Sequence, residues 1–165
     1  MILIALGASL PSHAGAPEQT LRASLAALSE KGIAVISASR IFQTPAWPDP
    51  HDPPFVNAML RVTTELSPKA LMETLHGIEA VFGRSRGAAN APRTLDLDLI
   101  DYDGRIEDGA LVLPHPRAAT RGFVLVPLAD VAPDWRHPVS GRSLPELIAA
   151  LPEAERAAIN VLGTF

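Results

Sequence analysis

The chain has 165 residues, of which 47% are hydrophobic and 19% are charged, which is typical of a soluble globular protein with one sizeable core. It contains no cysteine, and this excludes a disulfide scaffold and thiolate metal sites. The net charge of −4 argues against a nucleic-acid-binding surface.

The opening residues, MILIALG, carry no basic leader and reach a glycine after only about six apolar residues, too few for a signal peptide. No later stretch of the sequence approaches the roughly 18 apolar residues of a membrane span. We therefore expect one domain over residues 1–165, located in the cytoplasm and monomeric, with no membrane or nucleic-acid partner.

The first two thirds of the chain predict strands and helices in a regular order. Apolar alternation indicates strands, and helical spacing of leucines indicates helices. Pro17 and Gly32 bound the first helix, whereas Ser67-Pro68 and Gly83 bound the second. The predicted elements, in the order strand, helix, strand, strand, helix, strand, occupy residues 1–7, 17–32, 33–43, 55–66, 67–83 and 91–104.

This order is typical of an α+β protein with a ferredoxin-like β-α-β-β-α-β core, in which two helices cover an antiparallel sheet. After about residue 105 the signals weaken, and residues 123–132 fit a helix or a strand equally well. Ser143-Leu144-Pro145 predicts the start of a last helix that runs through Leu151. We expect these extra C-terminal helices and short strands to cover the remaining face or edge of the sheet.

Two connections are longer than loops in compact domains usually are. Residues 44–54, TPAWPDPHDPP, contain five prolines, and residues 83–93, GRSRGAANAPR, contain three arginines. Long loops of this kind are often binding loops or lids, and simple disorder is the alternative.

The strand at residues 91–104 carries two carboxylates where leucines dominate. Side chains alternate along a strand, so Asp96 and Asp98 share one face while Leu97 lies on the other. Buried carboxylates are costly without partners. Such a pair can hold one or two Mg²⁺ ions together with substrate phosphates, and pairing with neighbouring arginines is the alternative.

Arginines crowd the region around these two aspartates, and twelve of the fourteen basic residues are arginine. Guanidinium groups bind carboxylate and phosphate in a planar, bidentate manner. Arginines and Mg²⁺ together suit a polyphosphate, although a general compositional bias toward arginine is the alternative. Walker-type and protein-kinase motifs are absent from the sequence. The crowded arginines are Arg84, Arg86, Arg93, Arg117 and Arg121.

Two further groups are candidates for ligand binding. His76 and Glu79 share a face of the second predicted helix, where a solvated polar face is the alternative. Phe55, Asn57 and Phe123 suit a flat heteroaromatic ligand that stacks between rings and is read by an amide, whereas core packing is the alternative for the two phenylalanines.

The segments APRTLDLDLI and LPHPRAATRGFVLVPL together resemble the signature of the 6-hydroxymethyl-7,8-dihydropterin pyrophosphokinase family of folate biosynthesis. IALGASL, SRIFQTPAW and FVNAML match other landmarks of this family in the same order, so the resemblance spans residues 1 to about 133. It implies a ferredoxin-like fold. It also implies an enzyme that transfers diphosphate from ATP to the hydroxymethyl group of the pterin and releases AMP.

By position in the motifs, the resemblance implies that Asp96 and Asp98 bind two Mg²⁺ ions with ATP. Arg84 and Arg93 would clamp the transferring phosphates, and Arg86 would assist. The other nucleotide contacts would be His76, Glu79, Leu99, Ile100, Val112, His115 and Arg121. The pterin contacts would be Thr44, Pro45, Trp47, Phe55, Asn57, Asp96 and Phe123. We expect positioning and charge neutralisation to carry catalysis, with Asp96 as a candidate acceptor for the hydroxyl proton.

The sequence departs from the family pattern at three places. The glycine-serine-asparagine turn of the family is Gly7-Ala8-Ser9 here, Asn90 stands where a tryptophan often closes over the substrate, and Ala110 replaces a basic residue. Trp47, in the proline-rich loop, is therefore expected to become part of the lid over the pterin.

Two other functions remain open at this point. One is a different two-metal enzyme that hydrolyses nucleotides or pyrophosphate. The other is a non-enzymatic ligand- or RNA-binding module on the same fold, which would need basic and aromatic residues on the open sheet face where this sequence offers acids.

Overall fold

The structure, a computed structural model, describes residues 1–47, 49–84 and 92–165. Arg86, a predicted phosphate contact, and Asn90 lie outside these ranges. The strands are β1 (Ile2–Ala8), β2 (Ala34–Ala38), β3 (Ile41–Thr44), β4 (Phe55–Thr63), β5 (Asp96–Tyr102), β6 (Glu107–Asp108), β7 (Val112–Leu113) and β8 (Asn160–Gly163). The α-helices are α1 (Pro17–Glu30), α2 (Pro68–Val81), α3 (Gly122–Val131), α4 (Leu144–Ala149) and α5 (Glu153–Ala157). Within the described ranges, no helix has both the length and the apolar character needed to cross a bilayer.

The main sheet is antiparallel and has the strand order β5-β1-β4-β3-β8, with β2 paired to β4 beside β3. The single strand predicted over residues 33–43 is therefore wrong, because β2 and β3 are separate. The backbone N–H of Arg40 donates to Oδ2 of Asp130 at 2.9 Å, and its guanidinium binds the same carboxylate. This side-chain partner replaces a strand partner and separates β2 from β3.

The first helices begin and end where the sequence predicts. Pro17 is the first residue of α1, and Gly32 adopts a φ of +77° just after it. The hydroxyl of Ser67 accepts the N–H of Ala70 at 3.3 Å at the start of α2. Together the two helices cover one face of the sheet, and the order of elements confirms the predicted ferredoxin-like α+β class.

The other face of the sheet is covered by the C-terminal part of the chain. Leu3, Met59 and Ile100 of the sheet pack there against α3 and α4. The segment 123–132, which fits a helix or a strand in the sequence, forms helix α3 as far as Val131, and Ala132 caps the helix. The helix predicted from Ser143 is α4, but it is not the last element, because α5 and the edge strand β8 follow it.

Strand β5 has the alternation that the sequence predicts. Leu97 and Leu99 belong to the core under α1 and α2, whereas Ile100 belongs to the core on the α3 side. Asp96 and Asp98 therefore point to the α3 side of the sheet, where they lie opposite Gly7 and Ala5 of β1. The fold thus brings both carboxylates to one face, next to a strand with very small side chains.

Candidate active site

A cavity of about 750 Å³ lies at this end of the sheet. Its walls come from β1, β3, β4 and β5, from the segment before α3, and from the chain around α5. Most of the predicted site residues line it, namely Thr44, Pro45, Trp47, Phe55, Asn57, Arg93, Asp96, Asp98, His115, Arg121 and Phe123. Segments that are far apart in the sequence therefore meet in one place.

The floor of the cavity is open because β1 is built from small residues at this position. A Cβ atom added to Gly7 would lie 3.4 Å from Oδ1 of Asn57 and 3.8 Å from Cβ of Asp96. Gly7 pairs with Asp96 across the sheet, and Ala5 pairs with Asp98. A larger side chain at Gly7 would occupy the space between the amide and the carboxylates.

Asp96 is bound by two arginines. Nη1 of Arg84 lies 2.8 Å from Oδ1, and Nη1 of Arg93 lies 2.7 Å from Oδ2. The same Arg84 guanidinium also forms an ion pair with Glu79. Oδ1 of Asp96 is buried, and although Arg84 is close in distance, no described group donates a well-oriented hydrogen bond to it. Asp96 is thus paired with neighbouring arginines, which is the alternative to metal binding that the sequence left open.

Asp98 has a different environment. Among residues 1–47, 49–84 and 92–165, no side chain forms an ion pair or a hydrogen bond with its carboxylate. Burial, followed by the negative charge of Asp96, raises the pKa of Asp98, and positive charge on His115, Arg121 and Arg84 offsets this only in part. The charged carboxylate is therefore poorly compensated, and a cation would stabilise it.

His115 and Arg121 line the same cavity as this carboxylate, and the N–H of His115 donates to the carbonyl oxygen of Ile100 in β5 at 2.9 Å. Burial lowers the pKa of His115, and its Nδ1 accepts the N–H of Arg117 at 3.2 Å, so the neutral ring carries its proton on Nε2. Burial and the charge of Arg117 lower the pKa of Arg121. The guanidinium of Arg121 lies 5.3 Å from the centre of the Phe123 ring. Both residues can therefore donate hydrogen bonds to an anion.

Another part of the cavity is lined by aromatic rings and an amide. Nδ2 of Asn57 donates to Oγ1 of Thr44 at 2.9 Å, and both residues are buried. Phe55 and Phe123 line the same space, and Trp47 stands at its rim with 71% of its surface exposed. The Thr44 contact fixes the amide of Asn57 and leaves its oxygen free to accept a hydrogen bond from a planar ligand.

Other predicted nucleotide contacts lie apart from these walls. Glu79 is 3% exposed and accepts the N–H of Leu97 at 2.7 Å, so the alternative of a solvated face for His76 and Glu79 is wrong for Glu79. Burial raises the pKa of Glu79. His76 is exposed and borders a second cavity of about 560 Å³ with Met72 and Leu111.

The remaining predicted nucleotide contacts are hydrophobic residues. Leu99 and Ile100 are buried in the two cores, and Val112 is 41% exposed. Within the described residues, these three side chains are not part of the lining of either cavity.

The sequence gives no sign of one wall of the main cavity. Glu155, Ala158 and Ile159 line it from the chain around α5. Oε1 of Glu155 accepts the N–H of Gly122 at 2.6 Å, which attaches α5 to the start of α3. A helix of five mostly polar residues has no recognisable pattern, so only the structure reveals this wall.

The two aspartates fit a hard divalent cation. Mg²⁺ in proteins is often held by one or two carboxylates, and substrate phosphates complete its shell. Asp96 presents a buried oxygen without a hydrogen bond, and Asp98 presents a carboxylate with no partner among the described residues. Within the same residues, no cluster of three or more His, Cys, Asp or Glu side chains is found, so a ligand would have to supply the other oxygens.

Comparison with known proteins gives one consistent family. A family model described as 7,8-dihydro-6-hydroxymethylpterin-pyrophosphokinase (HPPK) matches residues 3–133. Two relatives are named 2-amino-4-hydroxy-6-hydroxymethyldihydropteridine pyrophosphokinase. The Synechocystis relative is 45% identical over 118 residues, which cover 71% of this chain and 60% of the relative. The Pseudomonas aeruginosa relative is 37% identical over 153 residues, which cover 92% of this chain and 91% of the relative.

Solved structures agree with these matches at the level of the fold. The chain is similar to a crystal structure of Plasmodium falciparum HPPK-DHPS with pteroate, with a TM-score of 0.69 and 12% sequence identity. The match covers 90% of this chain and 43% of that chain. At this identity the likeness concerns the fold alone.

Proposed function

Because the chain belongs to the 7,8-dihydro-6-hydroxymethylpterin-pyrophosphokinase family, we propose that it transfers diphosphate from ATP to the hydroxymethyl group of 6-hydroxymethyl-7,8-dihydropterin. The products are AMP and the pterin diphosphate. The observation that carries the proposal is a cavity with paired carboxylates and cations at one end and aromatic rings with an amide at the other. Such a cavity places an acceptor ring next to a polyphosphate.

The pterin ring fits the aromatic part of the cavity. Phe55 and Phe123 supply faces for stacking, and Asn57 supplies an amide whose orientation Thr44 fixes. A planar ring with N–H donors can bond to the free oxygen of that amide. Asp96 and Asp98 line the same cavity, so the hydroxymethyl group of a pterin bound there would lie within the space that these carboxylates share.

The phosphates fit the charged end. Arg93, His115 and Arg121 line the cavity there, and each can donate a hydrogen bond to a phosphate oxygen. Arg84 reaches the same region through its ion pair with Asp96. Groups held in place before the substrate arrives stabilise developing charge without further reorganisation.

Mg²⁺ is part of this proposal, with Asp96 and Asp98 as the residues that would hold it. When bound, the ion would neutralise negative charge on the phosphates as a Lewis acid. Asp96 remains the candidate acceptor for the hydroxyl proton, and each of its two oxygens lies within ion-pair distance of an arginine. Positioning of the acceptor hydroxyl and charge neutralisation are therefore the main contributions we assign to this chain.

The residues proposed to bind the nucleoside part of ATP lie apart from the main cavity. His76, Glu79, Leu99, Ile100 and Val112 remain predicted contacts of the nucleotide. The second cavity, where His76 lies beside Met72 and Leu111, offers apolar surface that suits a nucleobase. We also propose that the chain works as a cytoplasmic monomer of one domain without membrane or nucleic-acid partners, in keeping with its lack of cysteine and its net charge of −4.

The test is product analysis of a reaction with ATP, with and without 6-hydroxymethyl-7,8-dihydropterin, in the presence of Mg²⁺ or excess chelator. We expect AMP only when the pterin and Mg²⁺ are both present, together with a pterin product that shows two phosphorus resonances by ³¹P NMR. AMP or free phosphate without the pterin would instead identify a nucleotide hydrolase, and turnover in chelator would contradict the role of Mg²⁺.

A further inference from the structure

Ser9 holds the main chain of Arg93 at the edge of the cavity. The N–H groups of Ser9 and Leu10 donate to the carbonyl oxygen of Arg93 at 2.8 and 2.9 Å. In return, the N–H of Arg93 donates to the hydroxyl oxygen of Ser9 at 3.0 Å. Ser9 is only 4% exposed, so water competes little for these bonds. The peptide groups on both sides of the Arg93 Cα are therefore fixed.

The same arrangement occurs once more in the described part of the chain, within the sheet. There the N–H of Ser39 donates to the carbonyl oxygen of Met59 at 2.9 Å, and the N–H of Met59 donates to the hydroxyl of Ser39 at 2.9 Å. Ser39 is 3% exposed. The two serines thus make the same reciprocal contact with a distant backbone, but Met59 is a core residue and Arg93 lines the cavity.

The contact has a consequence for the Arg93 side chain. Ser9 directly follows β1, and Gly7 of that strand pairs with Asp96. Nη1 of Arg93 lies 2.7 Å from Oδ2 of Asp96. Because Ser9 and Asp96 are both fixed to β1, the hydroxyl of Ser9 sets where the Arg93 backbone lies relative to the carboxylates. A flexible arginine needs such a fixed origin if its guanidinium is to meet a phosphate reproducibly.

We propose that Ser9 is a positioning residue, which acts on the transferred phosphates through Arg93 and does not touch the substrate itself. This inference rests on the proposed function. The turn that carries this contact is Gly7-Ala8-Ser9, directly after β1. In this chain the short hydroxyl of Ser9 supplies the hydrogen-bond acceptor for the Arg93 N–H.

The kinetic test compares Ser9→Ala with the matched control Ser39→Ala. Ser9→Ala leaves the Arg93 N–H without its acceptor, so we expect kcat to fall about tenfold while KM for ATP stays within about twofold. Ser39→Ala loses the equivalent bond outside the cavity, and also the bond from its hydroxyl to the carbonyl oxygen of Arg40, yet should keep kcat within about twofold. Equal falls in kcat for the two variants would overturn the proposal, because a general structural loss would then explain both.

A double-mutant cycle with Arg93→Ala tests whether Ser9 acts through that arginine. If it does, adding Ser9→Ala to Arg93→Ala should lower kcat by less than about another twofold. A full tenfold loss in the Arg93→Ala background would overturn the proposal. Ser9→Cys, with a similar volume and a weak acceptor, replaces Ser9→Ala if that variant does not fold.

Hydrogen exchange separates this inference from the proposed function. We expect the Arg93 amide to exchange at least about tenfold faster in Ser9→Ala than in the parent, with no such change in Ser39→Ala. An unchanged exchange rate at Arg93 overturns the role of Ser9 whatever the activity. If the parent chain forms no pterin diphosphate, the proposed function fails, and the exchange rate still reports on the contact itself.

Discussion

The two aspartates of β5 are neighbours on one face of the sheet, but they have opposite surroundings. Asp96 is bound by Arg84 and Arg93, whereas Asp98 has no ion-pair partner among the described residues. Burial and the nearby charge of Asp96 raise the pKa of Asp98. The comparison indicates that Asp96 keeps the arginines in place, and that Asp98 provides the stronger attraction for a cation.

The largest effect is expected for Asp98→Ala. Loss of a metal ligand removes several kcal/mol of transition-state stabilisation, so kcat/KM should fall by at least about 10³-fold. The fold should remain intact or become more stable, because the repulsion with Asp96 is gone. Measured turnover in Mg²⁺ buffer and a thermal unfolding curve give both quantities. Near-normal Mg²⁺-dependent activity in the folded variant would show that Asp98 is not a metal ligand.

Arg93→Ala should have the next largest effect. Its guanidinium is bonded to Asp96 and would exchange this partner for phosphate. We therefore expect Arg93 to contribute mainly in the transition state. Its loss should raise the activation free energy for kcat by about 2–4 kcal/mol and leave ATP affinity nearly unchanged. Steady-state kinetics and calorimetry with a non-hydrolysable ATP analogue measure the two effects. Arg61→Ala, at an exposed position of β4, is the control. A parallel loss of affinity and turnover would make Arg93 an ordinary binding residue.

In the metal-free protein, variants at the two aspartates should change the free energy of unfolding in opposite directions at pH 7. The folded state raises the pKa of Asp98 above the ordinary value of about 3.9, so it holds this proton more tightly than the unfolded chain does. The charged form of Asp98 therefore lowers the free energy of unfolding as pH rises from about 4 through the folded pKa. Asp98→Asn cannot ionise at this position, so this decrease in the free energy of unfolding should not occur in the variant.

Urea unfolding in chelator should thus find Asp98→Asn more stable than the parent at pH 7, by about 1.4 kcal/mol for each tenfold change in proton affinity. The difference should vanish below about pH 4, where both states are protonated. Asp96→Asn should instead be destabilised at pH 7, because it loses its ion pairs with Arg84 and Arg93. Changes of the same sign in both variants would remove the distinction between the two carboxylates.

Trp47 should show the smallest effect, a change in fluorescence without a large change in stability. It is 71% exposed at the rim of the cavity, and we expect it to close over the pterin when both substrates are present. Trp135 is buried, and its Nε1–H donates to the buried Asp101 at 2.7 Å, so it should stay in place.

The reporter is therefore the difference between the parent and Trp47→Phe. The pterin and a non-hydrolysable ATP analogue with Mg²⁺, added together, should change this difference spectrum much more than the pterin alone or the analogue with Mg²⁺ alone. The spectra are corrected for pterin absorbance. An unchanged difference spectrum in the ternary complex would mean that Trp47 only anchors its loop.

Local patterns predicted the parts of the molecule that depend on local rules. Alternation places Asp96 and Asp98 opposite Leu97, and Pro17 and Gly32 bound α1. The contacts that distinguish the two aspartates were not predictable in this way. Arg93 meets Ser9 across 84 positions through its own backbone N–H and carbonyl groups, which every residue possesses, so its sequence does not mark it as the partner of the Ser9 hydroxyl.

The C-terminal part shows the same limit. Residues 123–132 are apolar except for Asp130, so their period does not separate a helix from a strand until packing against Met59 and Ile100 decides it. Glu155 reaches the cavity from a helix too short to have a pattern. Its contact with the Gly122 N–H depends on how α5 returns to the start of α3, which is a property of the whole fold.

The most direct test of the contrast between the aspartates is an NMR titration of their carboxyl carbons in metal-free protein. We expect Asp98 to titrate clearly above the ordinary value of about 3.9, and addition of Mg²⁺ with a non-hydrolysable ATP analogue should lower its midpoint. A midpoint for Asp98 at or below the ordinary value, unaffected by Mg²⁺ and nucleotide, would contradict the proposal that Asp98 is the uncompensated carboxylate that would hold the cation.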